Sequence, residues 1–290
     1  MDALSVKGLV KSFGTNDVIK NISFNVPMGS IFGFIGANGA GKTTTMNMAL
    51  GFLERDGGEI SICGEEVVFG KTAKSVGYLP DVPEYYNYMR PMEYLSLCGQ
   101  LAGMTTSQIK KRGSELIEMV GLEKANRKIG GFSRGMKQRL GIAQALLGDP
   151  KLLICDEPTS ALDPIGRKEI LDILTAVKTT VIFSTHILSD VERICDHAAI
   201  LHNGKIAMHG TLADLKKRKT DNYAVEFATK EDAEKLSQSP FKNTRTENTI
   251  TIKNTNGAEI LSFLSQNKLV PTKFELLEPT LESLYMEVAL

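Results

Sequence analysis

The side chains best equipped for chemistry start at Gly36. There Gly36-Ala37-Asn38-Gly39-Ala40-Gly41-Lys42-Thr43, followed by Thr44, keeps the spacing G-x-x-x-x-G-K-[ST]. Glycines let a loop curl until successive backbone N–H groups point at phosphate oxygens. A helix opening at the end of such a loop adds the positive end of its dipole. Lys42 is then placed as a point charge for β- and γ-phosphates, and the Thr43 hydroxyl as a ligand for Mg²⁺. A glycine-rich turn alone would mean little. Here an apolar stretch precedes it and a helix-like stretch follows, which is the context a nucleotide cradle requires. A second constellation ends the run Leu152-Leu153-Ile154-Cys155-Asp156-Glu157. Its apolar part reads as a buried strand that delivers two adjacent carboxylates at its tip. Asp156 fits a Mg²⁺ ligand, and Glu157, on the other side of the strand axis, is placed to polarise a water. Apolar strands ending in Asp-Glu are common; joined to the glycine loop, this one reads as functional.

The elements that must position these groups alternate between strand and helix. Leu4–Val10, Val18–Val26 and Ser30–Ile35 read as strands, and Lys42–Phe52 as a helix. Pro91 opens a helix to about Leu101. Thr105 and Thr106 cap another over Ser107–Val120, with Ile109, Leu116, Ile117 and Val120 on one face. A helical insert at about 85–135 is therefore expected between β-rich flanks. Beyond it, Lys151–Cys155, Thr180–Ser184 and Ala198–Leu201 are short apolar runs separated by helical stretches. That alternation predicts an α/β fold with a mainly parallel sheet.

Composition changes near residue 210: of the 26 glycines, only Gly257 lies beyond Gly210. The run Lys216-Lys217-Arg218-Lys219 with Thr220-Asp221-Asn222 reads as a linker, the basic part being equally a solvated helix end. A first domain over 1–215 and a small α+β domain over 221–290 follow. In the second, strands at Tyr223–Ala228, Thr244–Thr246, Thr249–Lys253 and Leu269–Leu277 and helices at Glu231–Ser237 and Ala258–Gln266 make a βαββαβ pattern. A last helix, capped by Thr280, runs to Val288.

With 42% hydrophobic and 23% charged residues, the chain can bury a sizeable core. Its 34 Lys+Arg balance 34 Asp+Glu, so no basic field points to nucleic acid or acidic lipid. Cys63, Cys98, Cys155 and Cys195 are dispersed with no CxxC pair, which suits a reducing compartment. The opening MDALSVKGLV lacks the pattern of a secretory signal, and no apolar run reaches the ~18–20 residues of a membrane helix. A cytoplasmic protein is expected.

Between the two constellations stands Phe132-Ser133-Arg134-Gly135-Met136-Lys137-Gln138-Arg139. After the second come Pro158-Thr159-Ser160-Ala161-Leu162-Asp163-Pro164 and Ser184-Thr185-His186. Over about residues 1–215 this order resembles the P-loop NTPase of ABC type, the ATP-binding subunit of an ABC transporter. The resemblance implies ATP and Mg²⁺ as ligands and roles for single residues. Phe13 matches the aromatic that stacks on adenine, an apolar core Phe being the other reading. Ser133 and Gly135 match the signature loop that meets the γ-phosphate of ATP held by a second subunit. His186 matches the histidine that aligns Glu157 and the attacking water, and Asp163 the loop that communicates across the dimer. Three positions depart from the pattern. Arg134 and Met136 replace the usual glycine and glutamine of the signature, and Asp81 stands where most of the family has glutamine. Asp81 is expected to act through Mg²⁺ or a bound water, or else to be a turn residue between Pro80 and Val82.

The resemblance further implies a dimer, with a like or a related ATPase subunit, that closes on ATP and drives a separate membrane permease from the inner face of the membrane. The segment Val76–Tyr88 and the ending Leu277-Glu278-Pro279-Thr280-Leu281 are similar to ATPases of ABC-2-type exporters, especially the bacitracin-export kind. Export of a drug, peptide antibiotic or lipid-like substrate is the reading that follows. The alternative is an ABC ATPase acting on nucleic acid or ribosomes. Against it stand the neutral charge and the lack of a second ATPase unit or a heptad array.

Overall fold

Two strands of the first third, β1 (Asp2–Phe13) and β2 (Asn16–Pro27), are longer than the sequence pattern suggests and form one hairpin, Phe13 facing Asn16 across its turn. With β4 (Gly57–Ile62) and the short β5 (Glu65–Glu66) they make an antiparallel sheet in the order β2-β1-β4-β5. Leu4, Val6, Leu9, Ile19, Ile22 and Val26 are buried in its core.

The second sheet contains β3 (Ile31–Ile35), β6 (Val76–Leu79), β7 (Leu152–Cys155), β8 (Thr180–Thr185), β9 (His197–His202) and β10 (Lys205–Thr211). Its order is β10-β9-β3-β8-β7-β6, parallel throughout except for the β9–β10 hairpin at its edge. Every residue of β7 and β8 is buried, which is why these strands read as unbroken apolar runs rather than alternating ones. The strand order places the C-terminal ends of β3, β8 and β7 side by side, where an open α/β sheet holds its ligands.

Helices fill the connections. α1 (Lys42–Ala49) follows β3 and stops short of the expected Phe52, because Leu50 caps it and Gly51 turns left-handed at φ 72°. Between β6 and β7 lie α2 (Pro91–Leu101), α3 (Thr106–Met119) and α4 (Arg134–Ala145). α3 has the expected Thr105 cap, its hydroxyl accepting from Gln108 N–H, and buries Ile109 and Leu116; Val120, its C-cap, is buried too, and Ile117 is half-buried. α5 (Pro164–Ala176) and α6 (Leu188–Ile194) complete this part.

The computed structural model describes residues 1–125, 127–216, 221–277 and 280–289. Within these the chain divides into two units, Met1–Leu212 and Ala213–Val288. Residues Lys217 to Thr220 of the expected linker, and Glu278 and Pro279 of the C-terminal segment, lie outside the described residues. α7 (Leu212–Lys216) begins at the division. The second unit then runs β11 (Tyr223–Glu226), α8 (Lys230–Ser237), β12 (Asn243–Thr246), β13 (Thr249–Ile252), α9 (Gly257–Gln266), β14 (Lys273–Leu276) and α10 (Leu281–Ala289). This is the βαββαβ pattern with a last helix, its antiparallel sheet ordered β12-β13-β11-β14. β14 starts four residues later than expected: Pro271 has no N–H for a ladder, so pairing begins at Lys273. Val225, Phe227, Ile250, Ile252, Ile260 and Leu264 form its own core.

Candidate functional site

Residues Gly36–Gly41 loop from the end of β3 to the start of α1. The Gly36 N–H donates to the Thr185 carbonyl (3.3 Å), tying the loop to the end of β8. A Cβ on Gly36 would lie 2.7 Å from the Leu201 carbonyl oxygen, so no larger residue fits. Gly41 has φ 106°, and a Cβ there would meet Ile19 Cδ1 at 2.5 Å. Both glycines are demanded by the backbone path. Ala40 N–H donates to Ala37 O (3.1 Å), closing a tight turn around Asn38 and Gly39, and Thr44 is half-buried in the first turn of α1. The outer side of the loop, at Ala37–Ala40, borders a cleft of about 410 Å³ shared with Asn16–Val18 and the turn His202–Gly204.

Lys42 is 5% exposed and donates from Nζ to the carbonyls of Gly36 (2.7 Å) and Ala37 (3.2 Å). The same Nζ lies 3.1 Å from Glu157 Oε1, close enough for an ion pair but without the alignment of a hydrogen bond. The other oxygen of Glu157, Oε2, is 3.0 Å from His186 Nδ1. Thr43 Oγ1 donates to Asp156 Oδ2 (2.7 Å). Lys42, Thr43, Asp156, Glu157 and His186, read from three separate stretches of sequence, thus form one connected cluster. Its oxygen pair Thr43–Asp156 offers hard ligands of the kind Mg²⁺ takes. No group of three or more His, Cys, Asp or Glu able to cage a metal exists among the described residues. Two protein oxygens with the rest supplied by phosphate and water is how Mg²⁺ is held beside nucleotides.

Glu157 departs from the expected strand geometry. Its φ is 47°, so the chain leaves β7 through a left-handed residue instead of alternating sides. Ser184, fully buried, holds that bend: its Oγ accepts the Glu157 N–H (2.9 Å) while its hydroxyl donates to Asp156 Oδ1. Ser184 was visible only as part of Ser184-Thr185-His186; nothing local marked it as the brace of both carboxylates. A second brace also escapes the sequence. Thr159 Oγ1 donates to Asp190 (2.7 Å), whose carboxylate pairs with Arg167 (2.6 Å), pinning the turn after Glu157 to α6 and α5. Nearby, burial, with the Asp156 and Asp81 charges adding to it, pushes the Tyr78 phenol up to about 12.

The other expected residues stand apart from this cluster. Phe13 is 49% exposed at the end of β1, with Lys11 Nζ 5.4 Å from its ring centroid, which excludes the core reading. Ser133 caps α4, its Oγ accepting the Met136 N–H (3.2 Å), and Gly135 lies in the first turn. No hydrogen bond among the described residues joins either to the Lys42 cluster. Asp163 caps α5 by accepting the Gly166 N–H (2.7 Å). Asp81 has no hydrogen bond to Thr43 or Asp156 among the described residues; its carboxylate goes instead to Ser160 and Arg134.

A glycine cradle between a buried strand and a helix, with lysine, threonine and two carboxylates converging at its mouth, defines a P-loop nucleoside triphosphatase. The chain matches the ABC transporter family over residues 19–160 and the C-terminal domain of DrrA1-3-like ATP-binding proteins over 210–289. It is 39% identical to the uncharacterized ABC transporter ATP-binding protein YxlF of Bacillus subtilis, over 98% of this chain and 99% of that one. It is 41% identical to the bacitracin transport ATP-binding protein BcrA of Bacillus licheniformis, over 72% and 70%. A solved ATP-binding subunit of an ABC transporter superposes with a TM-score of 0.67 at 34% identity, covering 74% of this chain and 92% of that one. The chain belongs to the ATP-binding subunits of ABC transporters, nucleotide-binding ATPases whose hydrolysis is coupled to transport through a membrane permease. No helix among the described residues is long and apolar enough to cross a membrane.

Proposed function

We propose that this ATPase powers export through a separate ABC-2-type permease, its cargo being a drug, peptide antibiotic or lipid-like molecule. The likeness to a bacitracin transport protein and the DrrA1-3-like C-terminal domain support that direction. None of the relatives reported supports the nucleic-acid alternative. The protein works at the cytoplasmic face of the membrane, held there by its permease. Residues 1–215 form the ATPase domain and residues 221–290 an accessory domain.

The observation that carries the site is the connected cluster of Lys42, Thr43, Asp156, Glu157 and His186. Lys42 exchanges its loop carbonyls for β- and γ-phosphate oxygens, and the N–H groups of Gly36–Thr44 line the phosphate path. Thr43 and Asp156 would hold Mg²⁺, which would neutralise phosphate charge. Glu157 accepts a proton from the attacking water, and His186, bonded to its Oε2, keeps that carboxylate aimed. Phe13, exposed on the hairpin beside the cleft, stacks on the adenine. Ser133 and Gly135 have no partner in this cluster because they serve the γ-phosphate held by a second subunit, alike or related. Asp163, at the head of α5, senses that neighbour.

Lys42→Ala tests the site. Charge-assisted contacts to two phosphates disappear, so binding of a fluorescent ATP analogue with Mg²⁺ should be abolished. Near-wild-type affinity would remove the loop from the nucleotide site.

A further inference from the structure

Two of the three residues by which this chain departs from its family's usual pattern, Asp81 and Arg134, touch each other. Asp81 lies two residues beyond β6, Arg134 is the first residue of α4, and Ser160 sits in the turn that follows Glu157. Asp81 Oδ1 accepts from Ser160 Oγ at 2.5 Å and from Arg134 Nη2 at 3.3 Å. The same Arg134 nitrogen donates to Ser160 Oγ at 3.1 Å, closing a triangle. Beneath it, the fully buried Gln138 donates from Nε2 to the Asp81 carbonyl (2.8 Å), and Tyr85 donates to the Lys137 carbonyl (2.7 Å). On the far side, the Ser160 N–H donates to the Glu157 carbonyl (3.0 Å). An unbroken line of bonds therefore runs from the head of α4 through Asp81 and Ser160 to the backbone of Glu157.

Neither a turn nor a folding role accounts for this. An Asp that merely initiates a turn bonds its own backbone, whereas this carboxylate bridges partners 53 and 79 residues away. The Arg134 and Asp81 side chains are 43% and 45% exposed, and ion pairs that open to water add little to stability. Charge explains why the two come together. A cation in the first turn of a helix opposes the dipole, and a carboxylate beside it relieves that opposition. Glycine and glutamine at these positions would need no such partner.

We propose that Asp81 and Arg134 are a positioning pair for ATP hydrolysis. Within one subunit they fix the head of α4, and with it Ser133, relative to the turn that carries Glu157. One subunit thereby presents its base to the ATP it holds, and its signature serine to the ATP its neighbour holds, in a set relation. The proposal rests on the reading that Lys42 and Glu157 serve one ATP while Ser133 serves another.

The test is steady-state ATPase activity of the full chain carrying Asp81→Ala, Arg134→Ala, both together, and the reversed pair Asp81→Arg with Arg134→Asp. Thermal unfolding, fluorescent-ATP binding and Lys42→Ala run in parallel. Each single change is expected to lower kcat by about five-fold, within the range of couplings between contacting residues. The double variant should be no worse than the worse single, and the reversed pair should recover kcat. ATP affinity and the unfolding midpoint should stay near wild type throughout. Wild-type kcat in either single variant, multiplied losses in the double, or losses that track the unfolding midpoint overturn the pair while leaving the nucleotide site standing. A Lys42→Ala protein that still binds ATP overturns the site, and the pair with it.

Discussion

Removing the Ser184 hydroxyl is the most direct way to separate the brace from the groups it braces. Ser184 is fully buried, and its single oxygen serves two partners: it accepts the Glu157 N–H at 2.9 Å and donates to Asp156 Oδ1. In Ser184→Ala a backbone N–H loses its acceptor, which costs ~1–3 kcal/mol when buried. A carboxylate loses a charge-assisted donor, worth ~1.5–3 kcal/mol. The space freed is that of one oxygen, too small to admit a water with partners of its own. Thr43 remains as a donor to Asp156, so the two costs do not add in full, and a net loss of ~2–4 kcal/mol is expected. Urea unfolding followed by circular dichroism should show the midpoint of the ATPase unit falling with an unchanged slope. ATPase activity should fall with it, measured well below the midpoint, because Glu157 holds its left-handed turn through that bond. A stability change under ~0.5 kcal/mol together with normal turnover would refute the assignment, since no buried bond of this kind is lost so cheaply.

Glu157→Gln should keep ATP binding and slow hydrolysis by ~10²-fold or more, the scale of a lost general base, and on gel filtration with ATP the variant should run as a dimer. Hydrolysis at the wild-type rate would move the base elsewhere, with His186 the next residue to test. Deleting residues 221–290 should leave ATP binding by the remaining unit intact, because Gly36–Thr44, Asp156, Glu157 and His186 all fall within Met1–Leu212. Equilibrium binding to the truncated, folded protein checks it.

The nucleotide loop was legible because its requirements are local. A left-handed Gly41 and a Gly36 pressed against the Leu201 carbonyl can be met by one residue type, and that type sits at fixed spacing. The βαββαβ order of the second unit was legible for a similar reason: strands such as β13 bury alternate residues, and polar turn residues separate the elements. What was illegible depends on residues far apart in the chain. β6 was missed because Gly77 reads as a strand breaker. Its missing side chain is instead a tertiary requirement, since a Cβ there would collide with the Ala145 carbonyl of α4. The bend at Glu157 is held by a serine 27 residues on, and alternation along an apolar run carries no sign of it. The meeting of Asp81 with Arg134 spans 53 residues; each residue appeared separately as an oddity of its own motif.

The ion pair between Lys42 and Glu157 gives the carboxylate a second and opposite influence on the nucleotide. The two groups are 5% and 9% exposed, so their attraction is little screened, and a phosphate that draws Lys42 does so in competition with Glu157. In the proposed mechanism, the residue that activates the attacking water is therefore also the one that resists the arrival of ATP. Neutralising it lifts both effects at once: the bound triphosphate persists because it is not cleaved, and it is held more tightly because the lysine has lost its rival. Trapping of a nucleotide-bound state by that substitution consequently measures a sum of a kinetic and an equilibrium effect. In that variant a slow turnover would come from the lost proton acceptor and a lowered Kd from the lost rival for Lys42, two effects of one removed charge.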